Sequence, residues 1–162
     1  MPTAENPTVR PAEERDLPRV GELLLQVNEV HHTIRPDLFR TNSRKYTDDE
    51  LRAIFRDPAT PVFVYEAGGE VLGYAFCMLQ TRRGNNLVDG KTLYLDDLCV
   101  DEAARGRGIG TALYRFVLDY AKKIGCYNVT LNVWEGNDAA LAFYRKCGMK
   151  VQKTGMERIL EQ

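Results

Sequence analysis

A strand, a glycine-rich turn and an amphipathic helix follow one another in the second half of the chain, and this succession constrains the fold most. The strand reads TLYLDDLCV, and the turn reads Arg105-Gly106-Arg107-Gly108-Ile109-Gly110. Apolar residues then recur at steps of three and four, as on one face of a helix: Leu113, Phe116, Val117, Tyr120, Ala121 and Ile124. A second strand, YNVTLNV, follows Gly125. A right-handed βαβ crossover therefore places the two strands in one sheet, adjacent or nearly so.

The first half of the chain predicts one short strand, two helices and a hairpin. Residues 9–11 form the strand, and apolar residues at helical spacing from Leu17 to Val27 form a first helix. Thr47-Asp48-Asp49-Glu50 has the pattern of a capping box, which predicts a second helix over residues 48–55. Strand-forming residues on both sides of Gly68-Gly69 indicate a β-hairpin.

The end of the chain predicts a short helix and two closing strands. The helix is NDAALAFYRKC, ended by Gly148, and the strands are MKVQK and MERIL, separated by Thr154-Gly155. The predicted order is β-α-α-β-β-β-α-β-α-β-β. The fold class is mixed α/β (α+β), and residues 1–162 form a single domain.

Composition excludes several classes of function. The 162 residues include 22 basic and 23 acidic side chains, so the net charge of −1 gives no broad positive field for nucleic acid. No apolar stretch is long enough to span a bilayer, and the polar N-terminus MPTAENPTVRPAEERD is unlike a secretory signal, so we expect a cytoplasmic protein. The four cysteines are widely spaced and His31-His32 has no third ligand nearby, so we predict reduced thiols and no metal site.

The glycine turn has the chemistry of an anion site. It is not G-x-G-x-x-G, and no Lys-Ser/Thr pair follows its last glycine, so the dinucleotide and nucleoside-triphosphate motifs are both absent. Unpaired backbone amides at a helix N-terminus favour a phosphate or pyrophosphate, and Arg105 and Arg107 add positive charge. The alternative is a strand-to-helix turn with no ligand.

Two segments resemble the acyl-CoA motifs of the GNAT superfamily of N-acetyltransferases. LCVDEAARGRGIGTAL is similar to its signature R/Q-x-x-G-x-G/A after a strand, with Arg105, Gly108 and Gly110 in the three signature positions. NDAALAFYRKCGM looks like the second cofactor segment, N-x-x-A-x-x-F-Y-x-x-x-G-F, with Met149 in place of the usual Phe. The order of elements resembles the family over residues 9–160.

The resemblance implies a mixed, mostly antiparallel sheet with helices on both faces, and a site for acetyl-CoA. The pyrophosphate would lie on the amides of residues 105–110. The strand that carries Leu98 would splay from its neighbour, so that its backbone binds the pantetheine arm as another strand would. Asn137 would contact that arm, although the N-cap of its helix is an equally good interpretation. The implied cofactor-binding residues are Leu98, Cys99, Val100, Arg105, Gly106, Arg107, Gly108, Ile109, Gly110, Thr111 and Asn137.

The same resemblance suggests catalytic residues. Tyr144 resembles the family's tyrosine that hydrogen-bonds the leaving sulfur, and packing beside Phe143 is its structural alternative. YLDDLCV is similar to the Y-L-E-D-x-x-V of polyamine acetyltransferases, in which the carboxylate aligned with Asp96 lines the acceptor site. Adjacent residues of a regular strand face opposite sides, so only one of the two can easily serve as the base. We expect Asp96 to face the acceptor in that role, acting through water and holding the cationic amine, and Asp97 to be structural. A pair of carboxylates with no catalytic role is the alternative.

The sequence thus predicts an acetyl-CoA-dependent N-acetyltransferase in which a primary amine attacks directly in a ternary complex. The acceptor is a small molecule or a peptide; candidates are a small cationic amine, an aminoglycoside, and a protein N-terminus or lysine. A catalytically inactive acyl-CoA-binding sensor is the alternative from another class. Monomer and homodimer are both compatible with the sequence.

Overall fold

The structure, a computed structural model, describes residues 6–162. Five strands form one sheet in chain order; the first four are antiparallel to their neighbours, and the fifth runs parallel to the fourth. This confirms the mixed, mostly antiparallel sheet and the βαβ unit around the glycine turn. The elements are β1 Thr8–Pro11, α1 Leu17–Ile34, α2 Asp48–Arg56, β2 Val62–Ala67, β3 Glu70–Arg82, β4 Gly90–Val100, α3 Ile109–Lys123, β5 Asn128–Thr130 and α4 Asp138–Lys146.

The chain forms two compact units. The residues up to Asn132 make the first, which holds the whole sheet and α1 to α3, and Val133–Gln162 make the second, which holds α4. A single domain over residues 1–162 stays a prediction.

Helices cover both faces of the sheet in the first unit, as predicted. Side chains alternate along β2, so Val62 and Val64 lie in the buried cluster formed with α1 and α2. Phe63 points to the other face, where its ring packs edge-on against Phe116 and Tyr120 of α3 at centroid distances of 4.8 and 5.0 Å. The sheet therefore separates an α1/α2 face from an α3 face.

Local sequence signals set several element boundaries. The Thr47 side chain accepts a hydrogen bond from the Glu50 amide, and the Glu50 carboxylate accepts one from the Thr47 amide, which confirms the capping box. The helix it begins runs one residue beyond the predicted end. The hairpin at Gly68-Gly69 is confirmed, and β5 has three residues instead of the predicted seven.

The two predicted closing strands, MKVQK and MERIL, are wrong. Among the described residues, those from 149 to 162 contain no strand, and Val151, Met156, Ile159 and Leu160 are exposed. A strand is stable only when its backbone groups pair with a neighbour, and the second unit contains no strand with which these segments can pair. Alternation of apolar residues shows β-propensity but not the presence of a partner.

An ion-pair cluster that the sequence did not reveal joins β1 to the start of α1. The Arg10 guanidinium contacts the Asp16 carboxylate at 2.8 Å and the Glu66 carboxylate at 2.9 Å. Burial opposes ionisation of Asp16, but hydrogen bonds from Arg10 and the Glu13 amide hold its pKa below the usual value.

No helix in the described part of the chain is long and apolar enough to cross a membrane.

Candidate active site

The glycine turn leaves the N-terminus of α3 open to an anion. Gly106 and Gly108 have φ of 81° and 77°, a left-handed conformation that other residues adopt only with strain. Residues 105–108 are exposed, and Gly108 caps α3 without a capping side chain. A Cβ built on either glycine meets nothing within 4 Å, so there is open space in front of the turn. These features fit the pyrophosphate of acetyl-CoA.

Asp101 anchors the beginning of this turn to α1, a role that the sequence analysis missed. Its carboxylate accepts hydrogen bonds from Gln26 Nε2 at 3.2 Å, from the Ala103 amide at 3.2 Å and from the Arg19 guanidinium. Gln26 Oε1 in turn accepts from the Glu102 amide at 3.2 Å. An aspartate one residue after a strand is a recognisable N-cap signal, but its partners on α1 lie 75 and 82 residues away in sequence.

Strand β4 has an unpaired edge beyond its midpoint. It pairs with β5 only at residues 92–94, whereas its pairing with β3 continues to Val100. In the described part of the chain, β4 therefore pairs with β3 but not with β5 at Leu98, Cys99 and Val100. Such an edge can hydrogen-bond the amides of an extended pantetheine arm, as the resemblance implied.

A β-bulge lies at Asp96. Opposite β3, Asp97 pairs with Phe76 and Leu95 pairs with Cys77, so Asp96 is the extra residue of β4. Its carboxylate contacts Lys45 Nζ at 2.7 Å and the Tyr46 hydroxyl at 3.4 Å. Asp96 therefore faces the connection between α1 and α2.

Asp97 lies on the same face of the sheet as Asp96. Its carboxylate accepts a hydrogen bond of 2.6 Å from the Tyr74 hydroxyl. The rings of Tyr74 and Tyr46 both pack against Phe76, at centroid distances of 4.8 and 5.7 Å, so the two tyrosines are on one side. The prediction that the two acids face opposite sides is wrong, because the bulge inserts a residue and breaks the alternation of a regular strand.

The two carboxylates differ in their electrostatic surroundings. Burial, together with the neighbouring charge of Asp96, raises the pKa of Asp97 to about 6, although the hydrogen bond from Tyr74 opposes the shift. Burial opposes the charge on Lys45, but its hydrogen bond and attraction to Asp96 hold its pKa above the usual value. Asp96 is thus paired with a cation, whereas Asp97 has the proton affinity of a general base that works near neutral pH.

A small cavity opens beside Asp96. It is lined by Tyr46, Ile54, Thr60, Phe76, Cys77, Met78 and Asp96. Its wall is largely apolar, and Asp96, Tyr46 and Thr60 are the lining residues that carry oxygen in their side chains. The described residues contain no group of three or more His, Cys, Asp or Glu side chains able to hold a metal ion.

Asn137 and Tyr144 belong to the second unit. The Asn137 side chain accepts a hydrogen bond of 3.3 Å from the Ala140 amide and so caps α4. The Tyr144 ring packs edge-on against Phe143, with centroids 5.1 Å apart. The structure thus contains both structural alternatives that the sequence offered: Asn137 is an N-cap, and Tyr144 packs beside Phe143. The roles of these two residues toward the cofactor stay predictions.

Comparison with known proteins identifies relatives along most of the chain. The model of the acetyltransferase (GNAT) family matches residues 27–149. Glucosamine 6-phosphate N-acetyltransferase from Trypanosoma brucei brucei is 31% identical over 150 residues, which cover 91% of this chain and 92% of that protein. The enzyme of the same name from Arabidopsis thaliana is 28% identical over 113 residues, 70% of this chain and 72% of that protein.

Among solved structures, a point mutant of the BH1408 protein from Bacillus halodurans has a TM-score of 0.90 at 32% identity, covering 95% of this chain and 99% of that chain. The resemblance read from the two cofactor motifs and the GNAT fold are both confirmed. Because the family model spans most of the chain and one relative matches it nearly end to end, the chain belongs to the GNAT family and is an acetyl-CoA-dependent N-acetyltransferase.

Proposed function

We propose that this enzyme acetylates a small primary amine that binds at the β4 bulge and attacks directly in a ternary complex. The observation that carries the proposal is the position of Asp96 and Asp97, two carboxylates on one face of the sheet. They lie on the strand whose unpaired edge leads into the glycine turn. One strand thus offers groups for the acceptor amine and for the acetyl donor.

The donor is held by backbone groups of the first unit. The amides of residues 105–110 bind the pyrophosphate, Thr111 lies in the first turn of α3 behind them, and the edge formed by Leu98, Cys99 and Val100 binds the pantetheine amides. Bound acetyl-CoA supplies the acetyl group as a thioester. We expect the backbone amide of Leu98 or Cys99, on the same strand, to polarise the acetyl carbonyl.

Each acid has its own task toward the acceptor. Asp97 takes the proton that the amine must lose, and Asp96 attracts the ammonium form into the site. An alkyl ammonium has a pKa of about 10, so transfer to a carboxyl of pKa about 6 is uphill by roughly 5 kcal/mol. The amine therefore attacks from its neutral fraction. As its nitrogen bonds the acetyl carbon, an N–H proton passes through water to Asp97, and the C–S bond breaks to release the CoA thiolate, to which Tyr144 donates a hydrogen bond.

Two acceptor classes have support from different observations. The relatives named glucosamine 6-phosphate N-acetyltransferase favour an amino sugar phosphate. Lys45, which is half-exposed and contacts Asp96, is consistent with an acceptor that carries both an ammonium and an anionic group. The two carboxylates by themselves favour a small cationic amine. We place the amino sugar phosphate first, because it satisfies both the acid and the lysine.

A panel of amines tests the proposal. Release of CoA thiol is followed with glucosamine 6-phosphate, glucosamine, spermidine, an aminoglycoside and a lysine peptide, and products are identified by mass spectrometry. We expect the highest kcat/KM for glucosamine 6-phosphate and a lower value for unphosphorylated glucosamine. Acetyl-CoA binding without acetylation of any amine would instead support the inactive acyl-CoA sensor.

A further inference from the structure

Tyr74 places a buried hydroxyl against one of the two acids. Its side chain is fully buried on β3, in the apolar cluster that α1 and α2 form with the sheet. A buried hydroxyl requires a hydrogen-bond partner, and the Asp97 carboxylate accepts its proton at 2.6 Å. Tyr74 pairs directly with Cys99 across the two strands, so Asp97 is its diagonal neighbour on the same face.

The ring of Tyr74 is held as firmly as its hydroxyl. It packs edge-on against Phe76, and the Cys99 thiol opposite it donates to the Leu23 carbonyl of α1 at 3.6 Å. Burial strongly raises the pKa of Tyr74, so its hydroxyl keeps the proton that it donates to the Asp97 carboxylate. Asp97 therefore has a fixed donor on the apolar side.

We propose that Tyr74 is a positioning residue for Asp97: its hydroxyl holds the carboxylate in one orientation and stabilises the ionised form that accepts the proton. This inference rests on the proposed role of Asp97 as the base. Tyr74 acts through Asp97 and does not itself touch the acceptor.

Other groups near Asp97 also influence its ionisation. The titratable groups that interact with it are Tyr74 from β3, Asp96 and Cys99 from β4, and Lys45 from the connection before α2. Tyr46 of the same connection contacts Asp96. The α1 residues in the same cluster are apolar: Leu17, Val20, Leu23 and Leu24. Among these groups, Tyr74 is the one that donates a hydrogen bond to Asp97 from a fully buried position.

The test replaces Tyr74 by Phe, which keeps the ring and removes the donor. We expect the Asp97 carboxyl pKa, followed by carbon NMR of labelled aspartate, to rise by about one unit. The acid limb of kcat/KM should move to higher pH by the same amount, while KM for acetyl-CoA stays within about twofold. Tyr65→Phe on β2 removes a hydroxyl away from the two acids and is the matched control.

A second variant makes the same test in the opposite direction. Site-specific 3-fluorotyrosine at position 74 is a stronger hydrogen-bond donor, so the Asp97 pKa should fall, and this protein remains informative if Tyr74→Phe does not fold. An Asp97 pKa that is unchanged in either folded variant would overturn the inference. Full activity of Asp97→Asn would instead remove the base role, and with it the catalytic meaning of the Tyr74 hydrogen bond.

Discussion

The ionised carboxylate of Asp97 is less stable inside the folded protein than in water, because its side chain is surrounded by apolar groups and lies next to Asp96. Its pKa of about 6 in the folded state exceeds the usual 3.8. The folded protein therefore binds a proton more tightly than the unfolded chain. The contribution of this group to stability is greatest below pH 4, falls as pH rises towards 6, and stays low above that value.

We therefore predict that Asp97→Asn raises the free energy of unfolding at pH 7 by about 1 to 3 kcal/mol. Asn keeps an oxygen that can accept from Tyr74 and removes the buried charge. If Asp97 were the structural acid that the sequence analysis expected, the same substitution would instead lower the free energy of unfolding. Urea unfolding at pH 7 and pH 4 checks the effect, and a gain that is equal at both pH values would show that the charge is not its cause.

The role of Tyr144 can be tested by removing its hydroxyl group. Tyr144→Phe keeps the ring contact with Phe143 and removes the hydroxyl. If the hydroxyl binds the developing thiolate, kcat should fall by about 10 to 100-fold, while KM for acetyl-CoA changes little. Unchanged kcat in steady-state assays would leave Tyr144 as a packing residue of the second unit.

At the scale of elements, the proposed pyrophosphate site is formed by the glycine turn together with the N-terminus of α3. We predict that Gly108→Glu abolishes acetyl-CoA binding in calorimetry, because its carboxylate would face the pyrophosphate at the helix N-terminus. A side chain at φ 77° also strains the backbone. Gly108→Ala introduces the same strain without the charge and is the control. Equal loss of affinity in both variants would show that backbone strain, not charge, explains the effect.

The contact between α1 and the glycine turn is the second element-scale feature. Asp101 fixes the turn through Arg19 and Gln26, so Asp101→Ala should raise KM for acetyl-CoA several-fold and lower the free energy of unfolding by about 1 to 3 kcal/mol. Glu22→Ala removes one exposed partner of Arg19, leaves its contact with Asp101, and is the control. An unchanged KM in steady-state kinetics would restrict Asp101 to a role in stability.

At the scale of the whole molecule, local patterns predicted most elements of the first unit. The capping box at Thr47, the hairpin glycines and the apolar stripe of α3 act within a few residues, so they can be recognised in the sequence. The bulge at Asp96 depends on the register with Phe76 and Cys77, some twenty residues away, and no local pattern reveals it. The prediction of two closing strands was wrong for the same reason, because a strand forms only where a partner strand is available.

The candidate site shows the same division between local and long-range information. The proposed cofactor-binding residues, apart from Asn137, lie in the segment from Leu98 to Thr111, and its local motif suggested them. Lys45 and Tyr74 contact the two acids through tertiary packing, from a connection and from a different strand, so neither was expected at the site. The division of labour between Asp96 and Asp97 likewise depends on contacts made only in the folded protein.

The central claim, that Asp97 is the base and Asp96 holds the acceptor, is tested most directly by the pH dependence of kcat/KM in three proteins. For wild type, Asp96→Asn and Asp97→Asn, kcat/KM is measured across pH with the best acceptor of the panel. Dividing each variant's kcat/KM by the wild-type value at the same pH removes the effect of amine ionisation. We predict a loss of about 10²- to 10⁴-fold for Asp97→Asn above pH 6, shrinking below it, and for Asp96→Asn mainly a raised KM for the amine. Near-normal rates for Asp97→Asn, with the pH-dependent loss in Asp96→Asn, would contradict the account.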